Sequence, residues 1–271
     1  MNSRMFQGQP HKIKSSSRST SLAAKVSLHG SRQRSSGKQL VLDRSGAIDF
    51  SIPLNLPEQP AMIRQQAFSE IQQGNHEAAI DLLSLLIERN PTSVSDYNNR
   101  GLLYFQNGQF TRALADYNKA LELNPRLAKV YNNRANCHAS MGQLVEALFD
   151  YETALDLNPA NIRARINQGI TFRELEMYEQ AIENFDLALQ FSHMISGADL
   201  TESTTTMRGH IYAHRGRTSH LSGDWNYAIA DYHRALTALP STPASSLDAS
   251  QRLQTQIKTW LNDLLHPSFE A

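Results

Sequence analysis

His210 and His214 stand four residues apart, a spacing that places both on one face of a helix and would suit a pair of metal ligands. Neither the glutamate of a zinc-protease motif nor a third ligand accompanies them, so they read as histidines on a polar helix face and no metal is expected. Cys137 is the one cysteine, which excludes an internal disulfide or a cysteine-rich zinc site. It falls on a packing face and reads as a buried, inert thiol. No phosphate loop or dinucleotide fingerprint occurs, so neither catalysis nor a cofactor is expected. The polar residues that do recur are of another kind. YNNRG (residues 97–101) returns as YNNRA (residues 131–135), 34 positions later. Arg100, Arg134 and Arg215 are each followed sixteen residues on by Asp116, Asp150 and Asp231. Where the arginine is replaced, by Gln168 or Gln66, the aspartate is replaced too, by Asn184 or Leu82. Joint presence and joint loss imply three ion pairs, with packed arginine stems and matched charge. Just before that column stand Asn99, Asn133 and Asn167, with His214 in the same place. Asparagine is a poor helix former, so its recurrence points to hydrogen bonding, either with a ligand or between neighbouring helices.

These residues are positioned by a repeating framework. Asn-Pro recurs at Asn90, Asn124 and Asn158, and glycine at Gly74, Gly108 and Gly142, always 34 apart. Ala79, Ala113, Ala147 and Ala181 keep the same interval. A fixed period of this length marks a solenoid of stacked units, none of which can bury its apolar face alone. The glycines fall where one helix turns into the next, and the Asn-Pro pairs stop the second helix, because the residue before proline disfavours helix.

At these positions the sequence resembles the tetratricopeptide repeat (TPR) family. Its pattern asks for a small residue at position 8, an aromatic at 11, Ala at 20, an aromatic at 24, Ala at 27 and Pro at 32. Residues 94–127 supply Gly101, Tyr104, Ala113, Tyr117, Ala120 and Pro125. Residues 128–161 supply Ala135, His138, Ala147, Tyr151, Ala154 and Pro159. Residues 162–195 keep Gly169, Phe172, Ala181, Phe185 and Ala188 but carry His193 for the proline. Residues 209–242 keep Gly216, Ala228, Tyr232, Ala235 and Pro240, with Ser219 at position 11. Residues 60–93 are a degenerate first unit, with Ala67, Ala79 and Pro91 but Glu70, Leu83 and Leu86 off pattern. The resemblance implies an all-α fold, a right-handed superhelix of five helix-turn-helix units. A 13-residue slip near residues 196–208 is either a loop or an extension of the flanking helices. Within residues 243–271, a stripe of Leu253, Ile257, Trp260, Leu261 and Leu264 predicts a capping helix.

The resemblance also implies a non-catalytic scaffold that holds a peptide in a concave groove. In the family, positions 2, 5, 6, 9, 12 and 13 of the first helix face that groove. Here they supply Asn99, Lys129, Asn133, Arg163, Asn167, Arg173, His210, His214 and Arg217, a basic floor that suits an extended or acidic segment of another protein. The set is similar to the carboxylate clamp of co-chaperone TPRs. Lys129, Asn133 and Asn167 match it, whereas His210 and His214 replace its last two members. The wording of YNNRG and ALADYNKALELNP is similar to TPR proteins of photosynthetic lineages, several of which assemble thylakoid complexes.

Residues 1–38 hold eight Lys or Arg and no acid, which leaves a body of net charge about −8 by formal count. This Ser- and Arg-rich arm, residues 1–45, reads as disordered because it has too few apolar residues to offset the entropy of ordering. It is a solvated tail, an organelle (plastid) transit peptide, or an arm for nucleic acid or an anionic membrane surface. With Phe6 its lone aromatic, the nucleic-acid reading is disfavoured. Residues 46–59, punctuated by Pro53 and Pro57, read as a linker. No apolar run is long enough to span a membrane, and one thiol fits a reducing, cytoplasmic compartment.

Overall fold

Proline and asparagine set the helix ends. Asn90, Asn124 and Asn158, each before a proline, follow helices α2 (His76–Arg89), α4 (Phe110–Leu123) and α6 (Leu144–Leu157) with φ between −139° and −148°, an extended backbone that no helix continues. Two of them also close the turn, as the Asn90 and Asn124 side-chain oxygens accept from the backbone N–H groups of Thr92 and Arg126 at 3.3 and 3.0 Å. Within each unit the A and B helices are separated by a residue in the left-handed region. Gly108 (φ 71°) and Gly142 (φ 74°) fill it without strain, while the fourth unit places Glu176 there at φ 59°.

The computed structural model describes residues 59–196, 201–240 and 249–266. The arm (residues 1–45), almost all of the linker, residues 197–200 and 241–248, and the tail beyond residue 266 lie outside the described residues. The described residues are all helix and turn. The A helices are α1 (Pro60–Gln72), α3 (Val94–Gln106), α5 (Ala128–Ser140), α7 (Ile162–Glu174) and α9 (Glu202–Leu221). The B helices are α2 (His76–Arg89), α4 (Phe110–Leu123), α6 (Leu144–Leu157), α8 (Tyr178–Ser196) and α10 (Trp225–Ala238), and α11 (Ala249–Leu265) follows. Each helix packs on its sequence neighbours, and successive A helices from α3 to α9 also touch. This is an α-solenoid of helix pairs.

The 13-residue slip is helix extension. α8 has 19 residues where α2, α4, α6 and α10 have 14. α9 has 20 where α3, α5 and α7 have 13, and the connection between α8 and α9 is one residue longer than its counterparts. The added turns are tied by buried Arg208, whose guanidinium donates to the Ser192 hydroxyl (3.2 Å) and carbonyl (3.0 Å).

The core is a strip of small and aromatic residues between paired helices. Ala113, Ala120, Ala181, Ala188, Ala228 and Ala235 are fully buried beside Tyr117, Phe185 and Tyr232. Gly101 and Gly169 allow the closest approach, since a Cβ on either would stand 2.8 Å from the ring of Tyr117 or Phe185. In the first unit Leu83 and Leu86 fill the places of the aromatic and the small residue, and both are buried. At the far end α11 inserts Ile257 among Ala213, Ala228, Tyr232 and Leu239, with Leu253, Trp260, Leu261 and Leu264 packed around it. A lone terminal helix pair would expose that face to water, and α11 covers it.

Candidate functional site

The arginine column joins three helices. Arg100 donates through Nε and Nη2 to both carboxylate oxygens of Asp116 at 2.8 and 2.7 Å. Arg134 binds Asp150 the same way at 2.7 and 2.6 Å, and Arg215 binds Asp231 at 2.6 and 2.8 Å. Their carboxylate bonds hold the Arg100 and Arg134 guanidiniums above the usual arginine pKa against the opposing effect of burial. The remaining nitrogen of each arginine reaches helix B of the preceding unit, where it meets Ser84 (2.9 Å), Asn118 (2.7 Å) and Asp186. Each guanidinium also lies over the tyrosine one helical turn earlier: Tyr97, Tyr131 and Tyr212, at 5.8, 5.4 and 5.6 Å. Tyr-x-x-Arg is therefore one structural device. The fourth unit, which lacks the arginine, also lacks the tyrosine; Arg165 stands there and lies over Phe191 instead.

Two of the three recurring asparagines, Asn133 and Asn167, bond one A helix to the next. Asn133 donates to Asn98 on α3 at 3.0 Å, and Asn98 donates to Asn99 at 3.3 Å. Asn167 donates to Asn136 on α5 at 2.8 Å, and the same oxygen receives the Tyr151 hydroxyl at 2.6 Å. The sequence pattern did not single out Asn98 and Asn136, which stand one and three residues from the recurring column. A further tie binds α1 to α3. Arg64 clamps fully buried Asp96 at 2.9 and 2.7 Å, and Ser93 donates to the same carboxylate at 2.6 Å. Burial alone would raise the Asp96 pKa, but the bonds from Arg64 and Ser93 hold it below the ordinary carboxylate value. Arg64 breaks the periodic pattern, so no repeat signal could have found it.

Over α3, α5 and α7 lies an open cleft of about 360 Å³, lined by Phe105, Asn136, Ser140, Asn167, Ile170 and Glu174 among others. A hollow of about 440 Å³ on α8 is lined by that helix alone and is open surface rather than a site. Lys129 and Arg163 are exposed near the starts of α5 and α7, and Asn99 is exposed on α3. Arg173, His214 and Arg217 gather farther along, where α7 meets α9. Arg173 Nη1 lies 3.4 Å from His214 Nδ1, and His214 stacks on Phe185 with ring centroids 6.0 Å apart. Desolvation, reinforced by the charges of Arg173 and His210, lowers the His214 pKa to about 3, so this imidazole is neutral. Arg217 lies over Trp260 of α11 at 4.9 Å. His210 is on α9 four residues before His214, and no group of three or more potential metal ligands occurs among the described residues. Cys137 is fully buried, and burial pushes its thiol pKa up to about 11. No helix among the described residues is long and apolar enough to cross a membrane.

Family models described as tetratricopeptide repeat match residues 64–93, 95–127 and 128–161. Similar solved structures include MamA from Desulfovibrio magneticus RS-1, with a TM-score of 0.59 and 18% identity over 69% of this protein and 99% of that one. Another is TTC0263, described as a thermophilic TPR protein of Thermus thermophilus, with a TM-score of 0.56 and 16% identity over 75% of this protein and 99% of that one. At these identities the likeness is one of fold. No curated protein matches the sequence.

Proposed function

We propose that this tetratricopeptide-repeat protein is a non-catalytic scaffold that holds an extended segment of another protein along its A helices. The observation that carries the reading is the side-by-side packing of α3, α5, α7 and α9, with a cleft lined mainly by A-helix side chains. An extended segment laid there meets Asn136 and Asn167 beside the apolar Phe105 and Ile170, polar and apolar contacts held on rigid helices, which suits peptide recognition. Lys129 and Arg163 on the same helices favour an acidic segment. A subunit held for assembly into a larger complex and an acidic C-terminal tail both present such a segment. The likeness in wording to repeats of photosynthetic lineages finds no counterpart among the similar structures named above and plays no part in the reading.

The test is a panel of segments selected from a random peptide display library on the full-length protein. Ile170→Asp, inside the cleft, should abolish capture of the selected segments. Phe149→Asp, on the exposed face of α6, should leave capture intact. The opposite pattern, with both variants folded by circular dichroism, would move the binding surface to the B helices.

A further inference from the structure

The three arginines of the repeat motif each hold a carboxylate. Arg173 and Arg217 do not. Both are half-buried, and neither forms an ion pair among the described residues. Arg173 meets neutral His214, and Arg217 meets the Trp260 face and His220 Nδ1 at 3.4 Å. The two guanidiniums are close enough to repel, and desolvation lowers the Arg173 pKa from its ordinary value. Behind them lies the fully buried Tyr232, whose hydroxyl stands 3.2 Å from His220 Nδ1. Burial raises the Tyr232 pKa to about 12, and both arginines act against that rise. The carboxylates whose charge reaches this group are Glu174, which acts on Arg173, and Asp263, which acts on His220; both are exposed. A half-buried cation pair whose only attending carboxylate, Glu174, is exposed and forms no ion pair with it is poorly compensated, and an anion arriving from outside would complete the compensation.

We propose that Arg173 on α7, beside His214, and Arg217 on α9, laid over Trp260 of the capping helix, form a receptor for a carboxylate of the bound segment. The site deepens the scaffold reading and rests on it. It differs from the row of Lys129, Asn133 and Asn167, whose asparagines are engaged between helices. Two guanidiniums can offer paired N–H donors to one planar carboxylate, the strongest hydrogen-bond geometry open to either group. The capping helix thus supplies one wall of a binding site as well as covering the end of the solenoid.

Two sources carry this chemistry, an acidic side group and the free carboxyl terminus of a polypeptide. The probes are tetraglutamate blocked at both ends, tetraglutamine with a free C-terminus, and tetraglutamine blocked at both ends. Each is titrated against the full-length protein, with binding followed by calorimetry and by the arginine Nε–H signals. Binding of the first probe assigns the site to side-group carboxylates, and binding of the second assigns it to a C-terminus. In either case the blocked tetraglutamine should not bind, and Arg173→Met or Arg217→Met should weaken binding at least about tenfold. Arg173→Met should leave the melting temperature unchanged or higher, because it removes a desolvated charge that no ion pair holds. Failure of both carboxylate probes to bind, or binding that is indifferent to both substitutions, overturns the proposal. If library-selected segments still require the α3–α7 cleft in that event, the scaffold reading stands and only the receptor falls.

Discussion

Removing Arg100 tests whether the YNNRG motif is architectural. Asp116 has a side chain only 7% exposed, and the bidentate guanidinium is its principal partner. Arg100→Ala strands that carboxylate, a loss on the order of 3 kcal/mol for a buried pair broken from one side. It also removes stacking on Tyr97 and Tyr104, worth about 0.5–1 kcal/mol each at partly exposed sites. A total of about 4 kcal/mol is expected. Asp116→Ala should cost less, about 2 kcal/mol, because the arginine side chain is 18% exposed and keeps its bond to Ser84. The double variant should lose little beyond Arg100→Ala, a coupling of roughly 1.5–3 kcal/mol. Urea unfolding followed by circular dichroism, with the slope compared among variants, measures all three. A solenoid can unfold in parts, so a changed slope would mark local melting of α3 and α4. Additive single costs would refute the pairing as the source of stability.

Glu176→Gly should stabilise the protein by about 1 kcal/mol, because an L side chain at φ 59° is strained by more than glycine adds to unfolded-state entropy; thermal melting checks it. His214 is neutral in the fold with a pKa near 3, below the unfolded value of 6.5. Its contribution is therefore fully present above about pH 6.5 and falls away, by a few kcal/mol in all, as pH drops toward 3. His214→Gln should flatten stability across that window in pH-dependent urea unfolding, whereas Asp96 acts only below about pH 4. Ile257→Ala should cost about 3 kcal/mol and raise hydrogen exchange first in α11, because the cavity opens under fully buried Tyr232.

The helix pairs, their turns and the cap were legible because each is set by residues close in sequence: glycine at a left-handed turn, asparagine before proline, alanine facing an aromatic. Helix pairing within a unit was legible for the same reason, and the co-variation of Arg100 with Asp116 survives because both lie inside one period. What escaped is what crosses between units. The third contact of each arginine goes to Ser84, Asn118 or Asp186, three chemistries with one acceptor function, so no residue type recurs. The asparagine column was visible, but its acceptors Asn98 and Asn136 sit at different repeat positions, which hid the bonds between A helices. The slip near residues 196–208 could not be read because Ser, Thr and Met carry no decisive helix or loop preference, and tertiary contacts such as Arg208 with Ser192 decide the outcome.

The central claim is that a partner segment lies on the A helices, and hydrogen exchange on the full-length protein with and without a library-selected segment tests it most directly. Added protection is expected at the C-terminal halves of α3, α5 and α7 and through the middle of α9, with the B helices unchanged. Protection confined to α6, α8 and α10 would contradict it.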